Sequence, residues 1–85
     1  MPYFVYILEC SDETLYTGIA VDLQKRLDEH NNSDKGAKYT KVRRPVKLLY
    51  SEVAKDRSEA SKREYAIKKL NRTKKMQLIE RSKNL

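Results

Sequence analysis

Eighty-five residues with a single cysteine allow one domain, spanning 1–85, with a modest core, and exclude an internal disulfide. No apolar run approaches the ~20 residues of a membrane span, and no charged-then-apolar leader opens the chain, so a cytoplasmic protein is expected. Nineteen basic against twelve acidic side chains give a net charge of +7, divided as −5 over residues 1–34 and +12 over residues 35–85. Such asymmetry favours a polyanionic partner, most often nucleic acid. It disfavours a membrane surface, because the basic segments lack a bulky aromatic face.

The first element is the run Tyr3-Phe4-Val5-Tyr6-Ile7-Leu8. It is apolar without alternation, which predicts a strand buried on both faces at the centre of a small sheet. Tyr6 shares a face with Phe4 and Leu8, opposite Val5 and Ile7. A polar turn, Cys10-Ser11-Asp12-Glu13, leads to a second strand, Leu15-Tyr16-Thr17, that ends at Gly18. Gly18 reads as a tight strand-to-helix turn or a close backbone approach. A helix is then expected from Asp22, a first-turn acid or N-cap, to His30 or Asn31. Leu23 and Leu27 mark its buried side, and Arg26 and His30 share another. The turn formers Asn31-Asn32-Ser33-Asp34 stop it.

Residues 32–45 form a long connection in which Lys35, Lys38, Lys41, Arg43 and Arg44 surround Tyr39, with Gly36 for flexibility. Basic residues around an aromatic suit a phosphate backbone with stacking from Tyr39. A third strand follows Pro45, with Val46, Leu48 and Tyr50 alternating. Asp56-Arg57-Ser58-Glu59 resembles a capping box and opens a second long helix to about Leu70. Ala60, Ala66, Ile67 and Leu70 make its apolar side, with Glu64 at the edge. Thr73 is the expected cap of a last helix to about Ser82, and the tail after Lys83 is expected to fray. The fold class is α+β, a three-stranded, mainly antiparallel sheet with packed helices in the order ββαβαα.

The tripeptides Phe4-Val5-Tyr6 and Tyr16-Thr17-Gly18, about ten residues apart, followed by Arg26 and His30 on a helix and later by Glu64, resemble the GIY-YIG nuclease domain. In size the chain looks most like the small standalone GIY-YIG proteins of bacteria. The resemblance implies a metal-dependent endonuclease acting on DNA rather than RNA, with Tyr6, Tyr16, Arg26, His30 and Glu64 as catalytic residues. It also implies one Mg²⁺ or Mn²⁺ held by Glu64. Arg26, with its forked donors, would hold the scissile phosphate, and Tyr6 and Tyr16 would place the water. The general base is left open among Tyr6, Tyr16 and His30. His30 is favoured on its ordinary pKa near 6.5.

Read without the resemblance, Tyr6 and Tyr16 are structural strand residues, His30 a helix-end residue, and Glu64 a packed stem whose head reaches solvent or Arg63, Lys68 or another cation. A thiol site from Cys10 and His30 has no reason to assemble. There are departures from the family pattern. Phe4 stands for the first Gly, Thr17 for Ile, Ile19 where some family nucleases have a lysine, and Met76 near an expected Asn. No recognition domain is attached, so low sequence specificity is expected unless a protein partner supplies targeting. The alternative function is a non-catalytic nucleic-acid-binding module using the basic C-terminal half. A weaker option is a protein-interaction domain with an acidic partner.

Overall fold

The chain was analysed as a computed structural model that describes residues 2–83; the tail expected to fray lies outside the described residues. The apolar run forms β1 (Tyr3–Glu9), joined by a tight turn to β2 (Leu15–Ala20). In that turn Asp12 Oδ1 accepts from the Thr14 amide and hydroxyl, and Glu13 takes a positive φ of 67°. Then come α1 (Leu23–Asn32), a single helical turn α2 (Lys38–Lys41), β3 (Lys47–Ala54), α3 (Arg57–Lys68) and α4 (Arg72–Lys83). The strands lie in the order β2-β1-β3, antiparallel throughout. The expected α+β architecture holds, with α2 as an additional element inside what read as a loop.

β1 is central, and its residues Val5 to Leu8 are all buried, which accounts for the unalternating run. Its two faces feed two cores. Val5 and Ile7 pack with Ala54, Ala60, Ile67 and Ile79, so α3 and α4 cover one face of the sheet. Tyr6 and Leu8 pack with Cys10, Val46, Leu23 and Leu27, so α1 covers the other. Cys10 is thereby buried, and burial pushes its thiol pKa up.

Several boundaries differ from expectation for local reasons. Gly18 does not end β2. It lies inside the strand opposite Tyr6, and no glycine among the described residues has positive φ. β3 does not alternate through Val46, Leu48 and Tyr50. A bulge falls where Ile7 pairs with Tyr50 and Leu8 with Leu48, so the extra residue, Leu49, packs in the core while Leu48 lies at the surface. On α3, Ala60 and Ile67 are buried but Ala66 is exposed. The helix is capped as expected: Asp56 accepts from the Glu59 amide at 2.9 Å, and Glu59 accepts from the Lys55 amide. α4 is capped by Asn71, whose Oδ1 accepts from the Lys74 amide at 2.9 Å, and not by Thr73.

The end of α1 is tied down by long-range polar contacts. Asp22 caps its start, accepting from the Lys25 amide at 3.0 Å. At its end the Arg44 guanidinium donates to the carbonyls of His30 (2.7 Å), Ser33 (2.6 Å) and Glu29 (3.4 Å); the last two also accept from the Gly36 and Ser33 amides at 3.3 and 3.1 Å. The Asn31 side chain pairs with both backbone groups of Val46 at 2.7 and 3.0 Å. Between them the chain runs so close to α1 that a Cβ on Gly36 would come within 2.6 Å of the Glu29 carbonyl oxygen and 2.9 Å of His30 Cα. Gly36 therefore permits a close approach to a helix backbone, which cannot yield as a side chain would. Gly36→Ala should lower stability by about 1–3 kcal/mol, the usual cost of overpacking, seen as a lower urea midpoint with an unchanged m-value.

Candidate active site

The site is built upward from Tyr6. Its ring lies across the backbone of its cross-strand partner Gly18. A Cβ there would come within 2.6 Å of the Tyr6 ring carbon Cζ and would meet the hydroxyl too. Only glycine leaves that path open. The path carries the Tyr6 hydroxyl to His30 Nε2 at 2.8 Å, although the two residues are twenty-four apart in sequence. His30 sits in the last turn of α1 with no solvent exposure. Its other ring nitrogen, Nδ1, lies 3.0 Å from Thr40 Oγ1 and accepts from the Ala37 amide at 3.4 Å.

Tyr16 lies on the same sheet face, across from Leu8. The His30 ring meets Tyr16 and Tyr6 edge-to-face, at 5.4 and 5.9 Å between centroids. Tyr39 stacks on Tyr16 at 5.9 Å, and the Arg43 guanidinium lies 3.9 Å from the Tyr39 centroid. The four rings thus form one continuous stack under a cation. Arg26, one turn before His30, uses Nη1 to donate to Glu29 Oε1 and to the Lys35 carbonyl, both at 2.9 Å. These two contacts fix the direction of the fork.

Glu64 comes from α3, on the other side of the sheet. Its carboxylate is partly exposed and pairs with Lys68 at 3.4 Å. Its charge nevertheless reaches the site. Burial pushes the Tyr6 phenol up to about 12, Tyr16 and Glu64 add to the rise, and Arg26 works against it. Burial also pushes His30 down to about 4, helped by the cations of Arg26 and Arg44 and opposed by Glu29. His30 is therefore neutral at pH 7 and enclosed. The advantage as a base that its ordinary pKa promised is removed by its burial.

β1, β2 and α1 thus bring Tyr6, Tyr16, Arg26 and His30 together, whereas Glu64 stands on α3 with Lys68 as its partner and touches none of them. The basic connection is less uniform. Lys35, Lys38 and Lys41 are exposed. Arg44 departs from the expected phosphate-contacting role, since its fork is spent on the carbonyls of α1. Arg43 is held by Asp12 at 3.0 Å and by the Tyr39 carbonyl at 2.9 Å. Tyr39, between Tyr16 and Arg43, buttresses the site, and both neighbours compete with any base for its ring faces. Asn71 caps α4 and Met76 packs against the core, so neither stands in for the Asn found in some family nucleases. Thr40 and Asn31 escaped the reading of the sequence. No local pattern distinguishes a buried threonine in a lysine-rich loop from an exposed one.

Residues 2–77 match the family model of the GIY-YIG catalytic domain, so the chain belongs to that family. Within it, the chain is similar to small bacterial proteins named UPF0213. One from Desulfotalea psychrophila is 59% identical over 94% of this chain and 73% of its own length. One from Staphylococcus saprophyticus is 54% identical over 91% and 93%. Two solution NMR structures share the fold. One is the UPF0213 protein BH0048 of Bacillus halodurans, 44% identical, with a TM-score of 0.60 over 94% of this chain and 84% of that one. The other is the protein EF2693 of E. faecalis, 40% identical, with a TM-score of 0.69 over 100% and 90%.

His30 is the only histidine in the chain, which makes its titration measurable. The unfolded chain takes up this proton near pH 6.5, the folded chain only near 4. Between those values the unfolded state binds more protons, so stability falls as pH falls. The loss approaches about 3 kcal/mol across the window. Urea unfolding at pH 5.0–6.5, above most carboxylate titration, should show this slope, and His30→Asn should be less stable but lack it.

Proposed function

We propose that the protein is a metal-dependent endonuclease that hydrolyses phosphodiester bonds in DNA with low sequence specificity. The observation that carries the reading is the meeting of β1 and α1 in the hydrogen-bonded Tyr6–His30 pair beside the oriented Arg26 fork, with the partly exposed Glu64 carboxylate on α3 as the remaining member of the family pattern. Charge supports a polyanionic substrate. Residues 55–83 hold eleven basic and four acidic side chains, whereas residues 2–54 hold eight of each, so the surplus lies on the layer that carries Glu64. Among the described residues no helix is long and apolar enough to cross a membrane.

Among the described residues no three His, Cys, Asp or Glu side chains gather into a metal cage. Mg²⁺, however, keeps several waters and binds through one or two carboxylates together with substrate phosphate. A single partly exposed carboxylate whose ion-pair partner is a flexible lysine fits that mode, so Glu64 would hold Mg²⁺ or Mn²⁺ alongside the bound phosphate. When bound, the ion supplies charge stabilisation to the phosphate.

The chain's own residues supply the rest. Arg26 holds the scissile phosphate and the negative charge that grows on it, with its direction preset by Glu29 and the Lys35 carbonyl. Tyr16 and Tyr6 position the attacking water. Tyr6 takes its proton as the phenolate; burial works against that form and holds the phenol up at about 12, and the Arg26 cation offsets part of the rise. Lys35, Lys38 and Lys41 contact flanking phosphates.

Supercoiled plasmid incubated with the protein and Mg²⁺ or Mn²⁺ should be nicked. EDTA and Glu64→Ala should each abolish nicking, and Arg26→Ala should slow it by about 10²–10³-fold. Identical traces for the wild type and Glu64→Ala would reject the nuclease reading and leave a nucleic-acid-binding module. In a binding titration against salt, replacing Lys35, Lys38 or Lys41 with alanine should flatten the slope of log K on log [salt] by about 0.9 per lost phosphate contact. Arg44→Ala should leave that slope unchanged and lower stability instead.

A further inference from the structure

His30 meets three groups besides the rings stacked against it: the Tyr6 hydroxyl at Nε2, and the Thr40 hydroxyl and Ala37 amide at Nδ1. A neutral imidazole carries one proton, and which nitrogen bears it decides what the ring offers to Tyr6. Two of the three partners are hydroxyls, which rotate and serve as donor or acceptor. The backbone amide of Ala37 cannot. Its hydrogen is fixed by the peptide plane and points at Nδ1. A proton on Nδ1 would face that hydrogen directly, so the amide weighs against protonation of Nδ1, but at 3.4 Å it does not decide the tautomer by itself.

The Thr40 hydroxyl follows. It lies 3.0 Å from Nδ1 and is placed to donate to the Ala37 carbonyl at 2.9 Å, so two acceptors compete for its one proton. That carbonyl already accepts from the Thr40 and Lys41 amides, each at 3.1 Å, whereas Nδ1 has only the long 3.4 Å contact from the amide. The hydroxyl proton is worth more on Nδ1. Thr40 has no solvent exposure, so no water competes for it.

We propose that Thr40, together with the Ala37 amide, is a positioning residue that holds His30 as its Nε2–H tautomer, so that the imidazole donates to the Tyr6 oxygen and does not serve as the base. The role of Tyr6 changes accordingly. One of its lone pairs is taken by Nε2–H, and its own proton is turned away from the ring. Loss of that proton leaves a phenolate that already has a donor at 2.8 Å. The opposite tautomer would leave the Tyr6 proton pointing at His30 and the phenolate without this donor. Thr40 acts through His30 and touches no substrate. The same stretch explains why Gly36 must be glycine: Ala37 reaches Nδ1 only because the chain before it lies against α1. The catalytic consequence rests on the nuclease reading, whereas the tautomer does not.

The test is two-part. Long-range ¹H–¹⁵N spectra of ¹⁵N-labelled protein at pH 7 report directly which imidazole nitrogen of the sole histidine is protonated. The wild type and Thr40→Ser should show a protonated Nε2 and an unprotonated Nδ1. Thr40→Val, which keeps the shape but loses the hydroxyl, should show averaged shifts from a mixture of tautomers. Cleavage by Thr40→Val should fall by about tenfold, the order of one buried hydrogen bond, with Thr40→Ser restoring it. A protonated Nδ1 in the wild type overturns the assignment, even if Thr40→Val fails to fold. A tautomer shift in Thr40→Val with cleavage at the wild-type rate overturns the positioning role. Absence of cleavage by the wild type counts against the nuclease reading, while the spectra still decide the tautomer.

Discussion

Everything at the site depends on one crossing. The Tyr6 side chain passes over the Cα of Gly18 to reach His30 on a helix twenty-four residues later. Because β1 is the central strand, its backbone is held on both sides, and Tyr6 inherits that rigidity. Because Gly18 lacks a Cβ, the ring lies flat in a gap that any other residue would fill. The hydrogen bond at the end of the crossing then couples sheet to helix between two buried side chains, where an unpaired hydroxyl or ring nitrogen would be costly. Geometry and protonation are set together: the burial that fixes both side chains also keeps each of them neutral.

Around that crossing, the basic connection divides its work in a way its composition hides. Arg44 is turned inward to close the end of α1, and Arg43 lies over the ring stack that runs from Tyr39 through Tyr16 to His30. Both are cations used to support a site. The three lysines that remain at the surface have the long, weakly constrained stems that suit phosphate contacts without fixed register. The asymmetry has a physical basis. Arginine's planar fork satisfies several carbonyls at once, as Arg44 does with those of His30, Ser33 and Glu29, and a lysine at the same place could not cover that spread.

The chain belongs to the GIY-YIG family and departs from the family name at two positions. Thr17 is buried on the sheet face opposite Tyr16, beside Ile7, and its hydroxyl has no hydrogen-bond partner among the described residues. Phe4 lies at the start of β1, paired with Ala20 and away from Gly18. The glycine that the site requires, Gly18, is retained.

The sequence by itself determined the central strand, the hairpin, the three long helices and the capping residues Asp22 and Asp56, because these follow from local periodicity and from side chains that bond within three residues. It also carried the five residues of the candidate site, through spacing that resembles a family pattern. Only the tertiary structure decided the bulge that puts Leu49 in the core and Leu48 at the surface, since a register shift is a property of two strands rather than one. Only the tertiary structure revealed that Gly18 and Gly36 are needed for close approaches rather than for positive φ or flexibility. It alone turned Arg44 from a surface cation into a helix clamp, and a threonine in a lysine-rich loop into the partner of a buried histidine. Each of these depends on which groups meet across six or more residues of chain, beyond the reach of a helical turn or a cap, and local periodicity does not contain that information.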